Sequence, residues 1–240
     1  MYLGARHVFE AHGASIVGIP IDADGLDTDR LAQRLASGWR PRFVCTVANF
    51  SNPSGATLTI DRRARLAALA QGYGFAIVED DPYHALGFDG ARPDPISCHA
   101  PDHAWFGVES RCLRAASGMA PRAGVDVRRG HARGADALPP HPGPHPTRRA
   151  RTLRAALDGV VTTPMPEGGM LLWGRAAVDT RAAFERAIDA GVAYIPGDAF
   201  SVDRPGTKWL RMSSATLGPE HLTMAARRLD TAFGTATLLA

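Results

Sequence analysis

Short apolar runs and amphipathic stretches alternate along the first hundred residues. Ser15–Ile21, Arg42–Ala48 and Phe75–Asp80 are brief segments rich in Val, Ile and Phe. This is the pattern of strands buried on both faces of a parallel sheet. Between them, Asp27–Ser37 and Asp61–Gly72 space Leu and Ala at helical intervals. Asp61 is placed to cap the second helix, and Gly72 or Gly74 to end it. Strand–helix–strand alternation predicts an α/β fold with right-handed crossovers. From about Thr147 the order changes. Thr147–Leu157 reads as a helix, Gly169–Trp173 as a strand, and Thr180–Ala190 as a helix stopped by Gly191. Val192–Ile195 and Trp209–Ser213 read as short strands, and Pro219–Phe233 as a closing amphipathic helix. Helices set apart from a small sheet predict a second, α+β domain.

The stretch between, Arg111–Pro146, has neither period. It holds six Pro, three His and repeated Arg and Gly, with almost no Ile, Leu or Phe. That is the composition of a loop or disordered linker, and a structureless stretch of this length is unusual inside a compact enzyme. The expected division is therefore 1–110, 111–146 and 147–240. The anomalous stretch also controls the charge. The net charge is +3, but Arg111–Arg154 alone has ten Arg against Asp126 and Asp136, leaving 17 basic and 22 acidic residues elsewhere. A basic balance confined to one segment is not a nucleic-acid footprint.

Composition narrows the class further. With 45% hydrophobic and 21% charged residues the chain is ordinary for a soluble globular protein. No apolar run reaches membrane-spanning length, and Met1–Phe9 lacks the basic-then-apolar pattern of a secretion signal. Cys45, Cys98 and Cys112 are too few and too scattered for a disulfide framework or a zinc site. The expectation is a cytoplasmic protein with reduced thiols and no metal.

By residue type alone, Asn52-Pro53-Ser54-Gly55 is a turn. Asp80-Asp81 is either a solvated loop or a carboxylate pair at the strand end where open α/β sheets bind ligands. Tyr2 stands in a terminal segment prone to fraying. Arg211 is either a surface arginine or an anion clamp, and Lys208, the only lysine, reads as a solvated loop residue.

Taken in order, four stretches resemble the fold-type-I pyridoxal-phosphate aminotransferases, class I/II. They are Tyr2-Leu3-Gly4-Ala5, Asn52-Pro53-Ser54-Gly55, Glu79-Asp80-Asp81-Pro82-Tyr83 and Leu210-Arg211-Met212-Ser213. The Gly168-Gly169-Met170 run adds to them. The nearest likeness is to the 2-aminoadipate, aromatic and kynurenine branch, shared by the effector domains of MocR-type regulators. It covers about residues 1–109 and 150–240. The resemblance implies a cytoplasmic, homodimeric transferase using pyridoxal 5'-phosphate to move an amino group between an amino acid and a 2-oxo acid. It implies that Asn52 and Tyr83 contact the cofactor's phenolic oxygen, that Asp80 pairs with the pyridine nitrogen, and that Tyr2 stacks on the ring. Arg211 would clamp the substrate α-carboxylate, a bidentate task that lysine performs poorly.

Two parts of the family pattern are missing. The region that precedes the Tyr-x-Gly motif in the family, including a glycine-rich turn for the cofactor phosphate, has no counterpart before Tyr2. The sheet is then expected to expose apolar surface or unpaired edges. The Schiff-base lysine, in a Gly-Ser-Phe-Ser-Lys-x-x-Ala-Pro-Gly-Leu-Arg-Leu-Gly-Trp type segment, is replaced by Trp105-Phe106-Gly107-Val108-Glu109-Ser110-Arg111 and the anomalous stretch. A guanidinium stays protonated and forms no Schiff base. Codons for Trp105–Ala120, reread one nucleotide forward, permit Gly-Ser-x-Ser-Lys-x-x-Ala-Ser-Gly-Leu-Arg-Leu-Gly-Trp. The reading is a segment translated out of frame that returns to frame near Arg148–Ala155. The expectation is an aminotransferase fold with impaired or absent transamination and no covalent cofactor. The alternatives are a non-catalytic ligand-binding half of a MocR-like regulator, or a non-functional fragment.

Overall fold

The computed structural model describes residues 3–83, 86–89, 94–100, 105–108, 146–202 and 207–234. Residues 111–145 of the anomalous stretch and Tyr2 lie outside these residues. The chain divides into two compact units: an α/β unit, Ile19–Ser51 with Ala56–Pro142, and an α+β unit, Met1–Gly18 with Asn52–Gly55 and Gly143–Ala240.

In the α/β unit, β1 (Ile21–Asp22) and β2 (Gly25–Leu26) form a two-residue antiparallel ladder. Helix α2 follows (Thr28–Ala36), and Asp27 caps it by accepting from the amides of Asp29 and Arg30. The sheet proper is β3 (Phe43–Val47), β4 (Ala76–Asp80) and β5 (Trp105–Val108), all parallel with β4 in the middle. Helix α3 (Ile60–Tyr73) connects β3 to β4. Leu66, Ala67 and Ala70 of α3 pack with Leu31, Leu35, Val44, Phe75, Ile77 and Ile96 into a fully enclosed core. The ladder pairs Val44 with Ile77 and Thr46 with Glu79. These four share the buried face, while Cys45, Val47, Val78 and Asp80 alternate onto the other and are only half-buried.

Two readings of this unit need correction. Ser15–Ile21 is not a strand: only Ile21 enters a ladder. The run is divided between the two units, and Pro20 has no amide to donate to a ladder. Asp61 does not cap α3. Thr59 is the cap residue, Asp61 sits inside the first turn, and Gly74 ends the helix at φ 74°. Strand β5 was not anticipated from its pattern.

The α+β unit contains α1 (Leu3–Ala11), α4 (Pro146–Ala156), α5 (Phe184–Asp189) and α6 (Pro219–Phe233). Its antiparallel sheet runs β6 (Val161–Thr162), β7 (Leu171–Ala176), β9 (Trp209–Ser213), β8 (Ile195–Pro196). The expected helix over Thr180–Ala190 shortens to α5. Asp179 turns back on the amides of Arg181 and Ala182, and the Thr180 hydroxyl donates to the carbonyls of Thr207 and Trp209. These bonds favour a turn over a helix. Tyr194 is buried edge-on between Phe184 and Phe233, so Val192–Ile195 reduces to the two-residue β8. Among the described residues no helix is long and apolar enough to cross a membrane.

Candidate active site

Asp80 ends β4, the middle strand of the parallel sheet. Its neighbour across β3 is Val47 and across β5 is Val108. Side chains alternate along β4, so Glu79 faces α3 while Asp80 faces the opposite, half-buried side. Burial pushes the Asp80 carboxyl up to about 6, and the adjacent Asp81 charge adds to the shift. Burial also pushes the Cys45 thiol on β3 up to about 12, with Asp80 contributing. Cys45 is therefore a protonated, inert thiol at neutral pH. Tyr83 is half-buried three residues beyond Asp80, and its carbonyl accepts from the Leu86 amide.

Asn52 and Arg211 meet within the α+β unit. Arg211 lies on β9, opposite Trp173 of β7 and Ile195 of β8. Its Nη1 donates to Asn52 Oδ1 at 2.9 Å, and its guanidinium lies 5.1 Å from the centre of the Phe200 ring. Phe200 meets Trp173 edge-on, and Trp173 stacks on Trp209. An aromatic series on the sheet thus fixes the plane of the guanidinium that Asn52 holds at one corner. Asn52 is buried, follows Phe50 at φ 47°, and forms a cis bond to Pro53. Gly55, at φ 72°, closes the turn against Leu171 and Pro166. Lys208 is exposed in the turn before β9.

The most buried polar group of the α/β unit escaped the sequence reading. Arg63 is fully enclosed. Its Nε donates to the Leu58 carbonyl, its Nη1 approaches Glu79 Oε1 at 3.5 Å, and its Nη2 donates to Asn49 Oδ1 at 2.6 Å. The signal was its spacing: Arg63 stands three, four and seven residues before Leu66, Ala67 and Ala70, on the core stripe of α3. A charge at a core position implies a buried partner. Among the described residues no group of three His, Cys, Asp or Glu side chains is placed to hold a metal.

No family model matches the chain. It is 29% identical to the aromatic-amino-acid aminotransferase 1 of Thermococcus litoralis, over 95% of this chain and 64% of that protein. The chain thus spans under two thirds of that relative's length. A shorter match, 29% identical over 42% of this chain and 20% of the other, is to the uncharacterized HTH-type transcriptional regulator YisV of Bacillus subtilis. Among solved structures it superposes with a TM-score of 0.77 on the α-aminoadipate aminotransferase LysN of Thermus thermophilus. That protein was crystallised as a complex with N-(5'-phosphopyridoxyl)-L-leucine, and the match is 24% identical over 99% of this chain and 70% of that one. The relatives and structural neighbours of this chain are fold-type-I pyridoxal-phosphate aminotransferases, and its two units form a partial version of that fold.

Proposed function

We propose that these residues are the part of a pyridoxal-phosphate aminotransferase that grips the cofactor ring and the substrate carboxylate, and that transamination by this chain is impaired. The observation that carries the reading is Asp80. A carboxylate held at the carboxyl end of a parallel strand, with its charged form disfavoured by burial and by Asp81, is completed by a cation of the size of a protonated ring nitrogen. Bound there, pyridoxal phosphate supplies an electron sink for charge developing at the substrate Cα.

The residues then divide the work. Asp80 keeps the ring nitrogen protonated. In the α/β unit Tyr83 would contact the phenolic oxygen; in the α+β unit Arg211 would receive the α-carboxylate in the orientation that Phe200 and Asn52 impose. The family resemblance adds Asn52 as a contact to the phenolic oxygen and Tyr2 as the ring's aromatic neighbour. A homodimer acting on an amino acid and a 2-oxo acid belongs to the same proposal. Proton movement at Cα needs a positioned base, which contributes about 10²–10⁴-fold in rate. The only side-chain amine, that of Lys208, is exposed in a turn.

Dialysis of pyridoxal phosphate against the chain and against Asp80→Asn tests the reading. Saturable binding that weakens in Asp80→Asn supports it, and equal affinity for the two proteins overturns it. The match to an HTH-type regulator favours a second reading, ligand binding without turnover. An amino acid that tightens cofactor binding yet yields no 2-oxo acid would select it.

A further inference from the structure

Asp80 stands between two carboxylates that are both fastened to α3. Arg63 is the fastening point. Besides Leu58 and Glu79, its Nη1 donates to the Asp94 carbonyl at 3.1 Å, and its Nη2 donates to the Ala48 carbonyl at 3.1 Å. Glu79 is held a second time, its Oε2 accepting from the Ile96 amide at 3.0 Å. Asn49, itself 1% exposed, extends the chain of bonds. Its Oδ1 accepts from Arg63 Nη2, and its Nδ2 donates to Asp81 Oδ2 at 2.8 Å. The residue before Asp80 is thus tied to one guanidinium directly, and the residue after it through one amide. Asn49 can bridge only in this orientation, because its oxygen must face the cation and its nitrogen the carboxylate.

We propose that Arg63 and Asn49 are positioning residues for Asp80: by pinning Glu79 and Asp81 they fix the direction in which the Asp80 carboxylate meets a ring-nitrogen cation. Neither touches the cofactor in this arrangement. The inference rests on the proposed function for its ligand, though the bonds themselves do not. Such supporting contacts, when lost, weaken ligand binding by about 10-fold or more.

A double-mutant cycle separates positioning from a general structural role. Arg63 is a poor probe, since its loss strands Glu79 inside the fold, so Asn49→Ala is used. Pyridoxal phosphate affinity is measured by dialysis for the chain, Asn49→Ala, Asp80→Asn and the double variant. The expected result is a loss of about 10-fold from Asn49→Ala with Asp80 present and less than about 2-fold in Asp80→Asn. Equal losses in both backgrounds would overturn the inference.

A cofactor-free readout keeps the two readings apart. Asp81 is the group whose charge raises the Asp80 carboxyl, the Cys45 thiol on β3 stays protonated and uncharged, and the β5 partner of Asp80 is Val108. In a carboxyl NMR titration, Asn49→Ala lets Asp81 turn away and moves the Asp80 midpoint downward. If Asp80→Asn leaves cofactor affinity unchanged, the proposed function fails and this titration decides the positioning role: a midpoint that does not move ends it.

Discussion

Arg63 is wholly enclosed on α3 of the α/β unit, whereas Arg211 is half-buried on β9 of the α+β unit. The first spreads its guanidinium over three carbonyls, Asn49 and the carboxylate of Glu79. The second meets an amide oxygen at one corner and an aromatic face beneath. A cation is costly to bury, and the cost is offset only when hydrogen bonds and a counter-charge surround it. Arg63 has both, so its charge is committed to holding the fold. Arg211 is oriented by the Asn52 amide oxygen and the Phe200 ring, and on the proposed reading it receives a substrate carboxylate. The same residue type therefore serves architecture in one unit and, on the proposed reading, recognition in the other.

The sharpest way to break this comparison is to remove both charges. Arg63→Met should cost about 3–5 kcal/mol in urea unfolding, because Glu79 is left buried without its partner. Arg63→Met with Glu79→Met should recover part of that loss. Arg211→Met should cost about 1 kcal/mol or less, a typical effect for a partly exposed group. Similar losses for the two arginines would erase the distinction.

Next in size is Asp80→Asn in the cofactor-free chain. The folded carboxyl titrates near 6, above its ordinary 3.8, so the folded state holds its proton more tightly than the unfolded state. Stability contributed by this group is present below the ordinary Asp range and is lost as pH rises through about 6. Asp80→Asn should therefore stabilise the chain by about 1–3 kcal/mol at pH 7.5, and the gain should vanish near pH 4. A gain that persists in acid would point to a different cause.

A smaller effect is expected at Phe200. Phe200→Leu removes the ring beneath Arg211 and should weaken carboxylate-dependent binding by about 0.5–1 kcal/mol, read as a higher amino acid concentration for half-saturation. Sequencing the coding DNA through codons 100–155 tests the out-of-frame reading. Codons incompatible with the reread lysine segment would refute it.

Much of the fold could be read because pattern and punctuation agreed. Trp209–Ser213 and Pro219–Phe233 were placed to the residue. Pro219 opens α6 at a position that needs no donor, and Gly234 closes it at φ 71°. Ser15–Ile21 misled because an apolar run says nothing about whether a ladder partner exists. Helix α1 is only nine residues long and gave no capping signal. Motifs single out Asp80, Asn52 and Arg211, which the structure places at the end of β4 and in a hydrogen-bonded Asn52–Arg211 pair. Arg63 was not legible, because Arg62, Arg63 and Arg65 look alike until the partners of each are known: Arg62 reaches Asp22 and Arg65 reaches Asp29, while Arg63 turns inward. Asn49 was hidden for the same reason, since a bridging amide is defined by two neighbours remote in sequence.

The α+β unit gathers Met1–Gly18, Asn52–Gly55 and Gly143–Ala240, and its Arg6 bonds to the Ser201 carbonyl. During synthesis α1 leaves the ribosome before the α/β unit, and the strands of its own unit emerge after it. At about 5–20 residues per second, Arg6 of α1 waits on the order of ten seconds for the Ser201 carbonyl it will meet. The interval between first and last contact, rather than the strength of either, sets the window in which chaperones or proteases meet this chain.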